Sequence, residues 1–466
     1  MGGCWSVRAA LVVAWVSSAV LCAQKAAPTA ASAIAQAEAL GARTGVAAVE
    51  LDGTWRFRNR HDERFTPASN MKLLSAVAVL EGLGSAHQFE TRFSLRGGEL
   101  IVVAGGDPNW ITGSQHPPEA AWRGLAAALQ RRGIRAVRSV AFDERRFSGP
   151  SRPPTWPKDQ LDTYYCAPTG GLVLDQGTFR VSVRPAGAAA EAMLVAPFVS
   201  VPVEGSIEVV AQKKGAVYGA LDLGDRVRVQ GKVFRGAKAA EITVAVREPL
   251  PWFQRAVTDA LEQAGIRIDA AAAATDDDEV YVHRTPLQPA LVRMLESSSN
   301  FDAEQCVRVL GAVATGDGSL QGGIAAVRKQ LDDTIGTCGD KLVQVDGSGL
   351  SRGNETTPSL LVRALRSAVG SRNADAFLSA LPIGGETGTL SGRFERSPVR
   401  GRVRAKTGWI RGASALSGIL ERKDGSRCAF AILMNYDPRK DGLNGQLKDL
   451  QEQIVEALDR AGGNGG

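Results

Sequence analysis

A chain of 466 residues that is 44% hydrophobic and 22% charged can bury a sizeable core, which excludes a disordered or fibrous protein and suits two or three globular domains. Its formal charge of +6 is spread over 55 basic and 49 acidic residues, with no basic cluster interleaved with aromatics, so nucleic acid is not an expected partner. Only 4 histidines, and no H-E-x-x-H or C-x-x-C spacing, leave metal catalysis little to stand on; no metal or cofactor is expected.

The chain opens with "MGGCWSVRAALVVAWVSSAVLCAQ", in which Arg8 precedes an apolar stretch from Ala9 to Leu21 and small residues lie near Ala23. That layout reads as a signal peptide over 1–23, and the stretch falls short of the roughly 20 residues needed to span a bilayer. Lipid attachment at Cys22 is disfavoured by the bulky Leu21 before it. The mature protein is therefore expected to be exported, periplasmic or associated with the cell wall, with peripheral membrane contact left open. A mildly basic surface would favour anionic wall polymers. Four later cysteines (Cys166, Cys306, Cys338, Cys428) are compatible with two disulfides in any of three pairings. The sequence specifies no oligomeric state.

From Ala30 an Ala-rich helical pattern leads into a strand at "TGVAAVELD", an Asp52-Gly53 turn and a second strand at "TWRFRN". A helix begins near Ser69. From Phe89 to about Pro168 strands and helices alternate, which predicts a small α/β unit. Between about Gly171 and Pro249, period-two alternation recurs in "TFRVSVRP", "SIEVVAQ", "RVRVQGKVF" and "EITVAVRE", as in an all-β module. Helical patterns return at "WFQRAVTDALEQAG" and "PALVRMLESSSNFDAEQCVRVLGAVA"; strands follow at "RVRAKTG", "ASALSGILE" and "CAFAILMNY", then a helix near Leu447 to Ala461. The first and last thirds read as one discontinuous domain, 24–90 with 285–462. It is interrupted by an α/β domain (91–170 with 250–284) that itself carries the nested all-β domain, 171–249.

Three short signals carry chemistry: S-x-x-K at Ser69 to Lys72, S-x-N at Ser298 to Asn300 and K-T-G at Lys406 to Gly408. On a helix, positions i and i+3 share a face, so the Lys72 amine can reach the Ser69 hydroxyl. A serine is a poor nucleophile until a base takes its proton, and a lysine neutralised by burial and nearby cations can be that base. The helix N-terminus favours an anionic intermediate, with the Ser69 N–H as one oxyanion donor and a second from the strand after K-T-G. Ser298 would relay a proton to the leaving amine, while Asn300 would bond Lys72 and the substrate amide. Lys406 supplies positive charge, Thr407 a hydroxyl, and Gly408 room for a substrate backbone. Those parts suit a substrate with a terminal carboxylate.

With "GGDPNW", "FDERRFSG", "CAPTGGLVLDQGTFRV", "VDGSGLSRGN" and "LPIGGETGTLSGRF", the motifs make the chain similar to the penicillin-binding protein 4 type of D-alanyl-D-alanine carboxypeptidase, low-molecular-mass class C, peptidase family S13. The resemblance implies an α/β (α+β) fold: a transpeptidase-like, β-lactamase-like domain with two domains inserted between the first and second motifs. It also implies removal of terminal D-alanine from peptidoglycan stem peptides and cleavage of D,D cross-links, through an acyl-enzyme on Ser69 that β-lactams can also form. Asp143 matches a position where the family holds the free amine of a diaminopimelate-like stem. "VDGSGLSR", with Asp346, reads as a tight turn supporting the site.

Two positions depart from the pattern. Ser299 stands where the family often has Asp, and Trp409 where a hydroxyl side chain is common, which removes one donor to a substrate carboxylate. Two other readings remain open on the residues alone. A β-lactamase-like hydrolase would need a deacylating water activator, and no E-x-x-x-N motif stands in a suitable loop. A catalytically weak wall-binding scaffold would have Trp409 blocking its site.

Overall fold

The strands Ala42–Glu50 and Arg427–Tyr436 pair antiparallel along their length, from Ala42 against Tyr436 to Glu50 against Cys428, so the two ends of the chain build one sheet. The computed structural model describes residues 27–461 except 197, 198, 276 and 441; the expected signal peptide lies outside them. The sheet has five strands in the order Val403–Ile410, Ala413–Glu421, Arg427–Tyr436, Ala42–Glu50 and Trp55–Asn59, all antiparallel.

Both faces of this sheet are covered, which explains the near-continuous apolar text of its middle strands. Val46, Leu416, Phe430 and Ile432 face the first helix, Ala30–Ala39, and the last, Leu443–Ala461. Alternate residues Ala47, Ala415, Ala431 and Leu433 face a helical layer containing Met71–Leu83, Asn300–Thr315 and Pro358–Gly370. Period two sends successive side chains to opposite faces, so two apolar layers need apolar residues at every position.

Helix Met71–Leu83 is buried from Met71 to Leu80 without interruption, the mark of a helix inside a core rather than on its surface. Lys72 is the one charged residue in that run. Where a helix starting near Ser69 is expected, the chain makes a 3-10 turn over Ala68–Asn70 and becomes α-helical at Met71. Similarly, the helical text through 289–314 divides into Gln288–Leu295 and Asn300–Thr315, with Ser298 at φ 63 in the break.

The two interrupting units each have a sheet. Asp278–Pro286, Gln88–Arg96, Glu99–Val103 and Ser139–Asp143 form a four-stranded mixed sheet. Its first pairing runs from Gln88 against Pro286, so the sheet reaches slightly beyond the expected limits of 91 and 284. Trp110, Trp122, Phe253 and His283 pack their rings together beside it. The second sheet has six strands, in the order Tyr218–Asp222, Val227–Phe234, Val203–Val210, Ala189–Val195, Thr178–Ala186 and Ala240–Ala245. Ala189–Val195 is not anticipated from its text, because Ala, Glu, Met and Leu are good helix formers, and pairing with Thr178–Ala186 and, at Ala189, with Val203–Val210 holds them extended.

The disulfide expectation is corrected: Cys166, Cys306, Cys338 and Cys428 are all free and buried. They sit on separate elements, and burial pushes every thiol above its ordinary value, to about 11 for Cys338 and Cys428. Among the described residues, no helix is long and apolar enough to cross a membrane.

Candidate active site

Ser69 stands in the Ala68–Asn70 turn, immediately before the buried helix. Ala68 has φ 47, a left-handed conformation that costs a non-glycine residue about 1–3 kcal/mol and persists only where neighbours enforce it. One such neighbour is Gly349, at φ 82, where an added Cβ would lie 1.9 Å from the Ala68 carbonyl oxygen. Another is Asn70, whose Nδ2 donates to the Lys406 carbonyl at 2.9 Å and ties the turn to the strand Val403–Ile410.

Lys72 is fully buried, and its Nζ has three oxygens around it: Ser69 Oγ at 3.1 Å, Asn300 Oδ1 at 2.6 Å and the Ser348 carbonyl at 2.8 Å. Burial pulls its pKa from 10.5 down to about 7, against the opposing pull of Asp346 and Glu304. A neutral amine has two N–H groups and one lone pair. Asn300 Oδ1 and the Ser348 carbonyl accept the two N–H groups, since neither can donate, which leaves the lone pair for the Ser69 hydroxyl.

Ser298 and Asn300 come from the break between two helices. Ser299 Oγ caps the second by accepting from Asp302 N–H at 3.1 Å, so serine fills the structural place an aspartate would also fill. The Ser299 N–H donates to the Arg293 carbonyl at 2.9 Å, and the Arg293 guanidinium pairs with buried Asp302 at 2.6 Å while reaching Asn109 Oδ1 at 2.8 Å. Those contacts hold Ser298 in its left-handed conformation and dock "GGDPNW" against the break. Asn300 Nδ2 donates to the Tyr165 carbonyl at 2.8 Å, which fixes which amide atom faces Lys72.

Lys406 is also fully buried and donates from Nζ to Ser298 Oγ at 2.8 Å and to the Thr407 carbonyl at 2.9 Å. Burial, then the charge of Lys72, holds its pKa well below the ordinary lysine value. Its strand is the edge of the five-stranded sheet. Ala405 N–H and the Val403 carbonyl turn outward to Pro382 and Gly384, so by alternation the N–H groups of Thr407 and Trp409 also face the open edge. Gly408 differs from expectation: a Cβ there would meet the Pro67 carbonyl oxygen at 2.8 Å and Asn70 Nδ2 at 3.1 Å. Its lack of a side chain admits the turn bearing Ser69. Thr407 Oγ1 bonds Thr389 Oγ1 at 3.0 Å.

Sequence reasoning missed Glu304, Ser348 and Tyr165. Glu304 lies one turn after Asn300, buried, and its two carboxylate oxygens accept separately from Gly347 N–H (3.0 Å) and Ser348 N–H (2.8 Å). Burial, then Asp346, raises its pKa to about 8. Asp346 accepts from Gly349 N–H and Ser351 N–H, both at 2.7 Å, and from Trp156 Nε1 at 3.0 Å, so "VDGSGL" is a turn whose Ser348 carbonyl enters the site. The signal for Glu304 is a carboxylate at i+4 from Asn300 in a helix otherwise patterned for full burial.

Two predicted residues stand apart from this cluster. Asp143 closes the strand Ser139–Asp143, and its carboxylate is taken by Arg145 at 2.7 Å and 2.9 Å, which lowers its pKa. Trp409 is 58% exposed, and its indole N–H reaches Tyr436 Oη at 3.4 Å; the strand alternation puts its side chain on the face opposite Lys406 and Gly408.

The D-Ala-D-Ala carboxypeptidase 3 (S13) family model matches residues 27–460. A D-alanyl-D-alanine carboxypeptidase from an Actinomadura species is 32% identical over 85% of this chain and 78% of its own length. The Haemophilus influenzae D-alanyl-D-alanine carboxypeptidase DacB is 27% identical over 79% of this chain and 80% of its own. The crystal structure of penicillin binding protein 4 from H. influenzae superposes with a TM-score of 0.78 at 23% identity, covering 92% of this chain and 99% of that one, and so shares its fold. With a family match across nearly the whole described chain and a relative above 30% identity, this chain belongs to the D-Ala-D-Ala carboxypeptidase 3 (S13) family and is a serine-type D-Ala-D-Ala carboxypeptidase.

Proposed function

We propose that Ser69 is the nucleophile and Lys72 its base, in an enzyme that removes terminal D-alanine from peptidoglycan stem peptides and cleaves D,D cross-links outside the cytosol. The observation that carries this reading is the Lys72 amine, buried, depressed to about 7 and placed 3.1 Å from Ser69 Oγ with both its N–H groups engaged elsewhere. Ser69 Oγ attacks the carbonyl carbon of the penultimate D-alanine while its proton passes to Lys72 Nζ. The oxyanion that forms accepts from the N–H groups of Ser69 and Trp409, the latter on the open strand edge. As the C–N bond breaks, Ser298 Oγ passes a proton to the departing amine, and the Lys406 ammonium beside it replenishes the path. Water then attacks the acyl carbon, giving one proton through Ser298 back to Lys406; as the ester C–O bond breaks, Ser69 Oγ takes back the proton held by Lys72, and the shortened stem peptide leaves.

Lys406, depressed by burial and by Lys72, regains its proton when a substrate carboxylate arrives, because an anion within a few ångströms opposes both effects. Thr407 Oγ1 completes the carboxylate end of the cleft. Asp143 binds the amine of a diaminopimelate-like stem by exchanging its bond to the exposed Arg145. β-Lactams acylate the same serine; a second crystal structure of the H. influenzae protein is complexed with a β-lactam and shares this fold at a TM-score of 0.72. Release of D-alanine from a diacyl-D-Ala-D-Ala peptide, absent in Ser69→Ala, is the expected result. Rapid turnover of penicillin in its place would favour a β-lactamase-like hydrolase, and no product from either substrate a scaffold.

A further inference from the structure

The environment of Glu304 has no part in the bond-making steps, yet it is built around the base. Its two oxygens clamp consecutive N–H groups, those of Gly347 and Ser348. The same two residues point their carbonyls at one face of the buried helix: Gly347 accepts from Ser75 Oγ at 2.8 Å and Ser348 from Lys72 Nζ at 2.8 Å. Ser75 and Lys72 are three residues apart and share that face. There is no slack in the packing, since a Cβ at Gly347 would meet Val307 Cγ2 at 2.9 Å and Glu304 Oε2 at 3.4 Å.

We propose that Glu304 is a positioning residue which, through the Gly347–Ser348 backbone, aims the Lys72 lone pair at Ser69. The inference rests on Lys72 being the base. If the Ser348 carbonyl turned away, one Lys72 N–H would lose its acceptor and the amine could rotate its lone pair off Ser69. Each oxygen keeps a lone pair for its N–H group whether or not the carboxyl is protonated, and burial with Asp346 raises its pKa to about 8, so near pH 7 the clamp does not depend on a charge.

The charged groups around Glu304 are named by the packing. Asp346 lies on the same turn, occupied by Gly349 and Ser351 N–H groups, and opposes the Glu304 charge. Arg308, one helical turn on, spends its donors on the carbonyls of Gly318, Phe147 and Thr169. Lys72 is the cation that Glu304 and Asp346 favour, and Lys406 lies beyond it. Lys72 and Glu304 therefore titrate as a coupled pair.

The test is the pH profile of penicillin acylation by the mature enzyme, for the parent, Glu304→Gln and Glu304→Asp, with the melting temperature of each. The parent is expected to show an acid limb near pH 7. Glu304→Gln offers one acceptor oxygen and an NH2 where two N–H groups need acceptors, so the acylation rate at saturating penicillin falls at least about tenfold while the limb and the half-saturating concentration stay. Glu304→Asp keeps both oxygens but reaches one N–H fewer, so its plateau falls in the same way. A Glu304→Gln plateau at the parental level, with only the melting temperature lowered, overturns the proposal and leaves Lys72 as base. A parent with no acid limb overturns both. Should Glu304→Gln not fold, Glu304→Asp decides alone, and an unchanged plateau refutes the positioning role.

Discussion

Lys72 and Lys406 are both fully buried, and each amine reaches a different serine: Lys72 Nζ lies 3.1 Å from Ser69 Oγ and Lys406 Nζ 2.8 Å from Ser298 Oγ. A charge on Lys72 lowers the tendency of Lys406 to hold a proton, on top of the effect of burial. Removing Lys72 should therefore be felt at both serines. Lys72→Ala is expected to slow covalent labelling by penicillin by about 10²–10⁴-fold, the usual contribution of a placed general base, with the fold retained. A parental labelling rate in that variant removes Lys72 from the role.

The acylation rate should depend on pH with a definite sign. Lys72 must be neutral to accept a proton, and burial holds its pKa at about 7, so the rate rises with pH up to about 7 and levels above it. A limb near the unperturbed lysine value of about 10.4 would mean the amine is solvated and charged during catalysis. A pH series of labelling rates at constant ionic strength makes the distinction.

Gly408→Ala tests the contact between the strand and the nucleophile turn. The new methyl would lie 2.8 Å from the Pro67 carbonyl oxygen and 3.1 Å from the Ala415 Cβ, neither of which is the free end of a flexible side chain. A destabilisation of about 1–3 kcal/mol is expected, with a loss of labelling out of proportion to it as Ser69 shifts. Denaturant midpoints and labelling rates of the same preparation separate the two effects.

Much of this site is legible in the sequence because its three motifs are local: a turn, a helix break and a strand edge each hold their residues at short spacing. What the sequence does not disclose is long-range. Ser348 and Glu304 meet Lys72 only through folding of distant segments, and Glu304 reads as an ordinary helix residue until its burial is known. Gly408 reads as room for substrate, whereas Pro67 occupies the space beside it. An even cysteine count suggests disulfides, but four thiols on separate buried elements make none.

Ser299→Ala should remove the cap of helix Asn300–Thr315 at a cost of about 1 kcal/mol, while Ser299→Asp keeps it. Because the capped end carries Asn300, the alanine variant should also label more slowly. Equal melting temperatures for parent and alanine variant would show that the Arg293–Asp302 pair alone holds the break.

Trp409→Thr returns a hydroxyl to the strand beside the carboxylate end. One charge-assisted hydrogen bond is worth about 1.5–3 kcal/mol, so kcat/KM for a D-Ala-D-Ala peptide is expected to rise by about tenfold or more. An unchanged value would place the substrate carboxylate out of reach of residue 409.

The central claim is that Ser69 is the acylated residue. Intact-mass analysis after penicillin exposure, followed by peptide mapping, should show one stable adduct on the peptide containing Ser69, absent from Ser69→Ala. An adduct on any other residue, or one that persists in Ser69→Ala, would contradict the account.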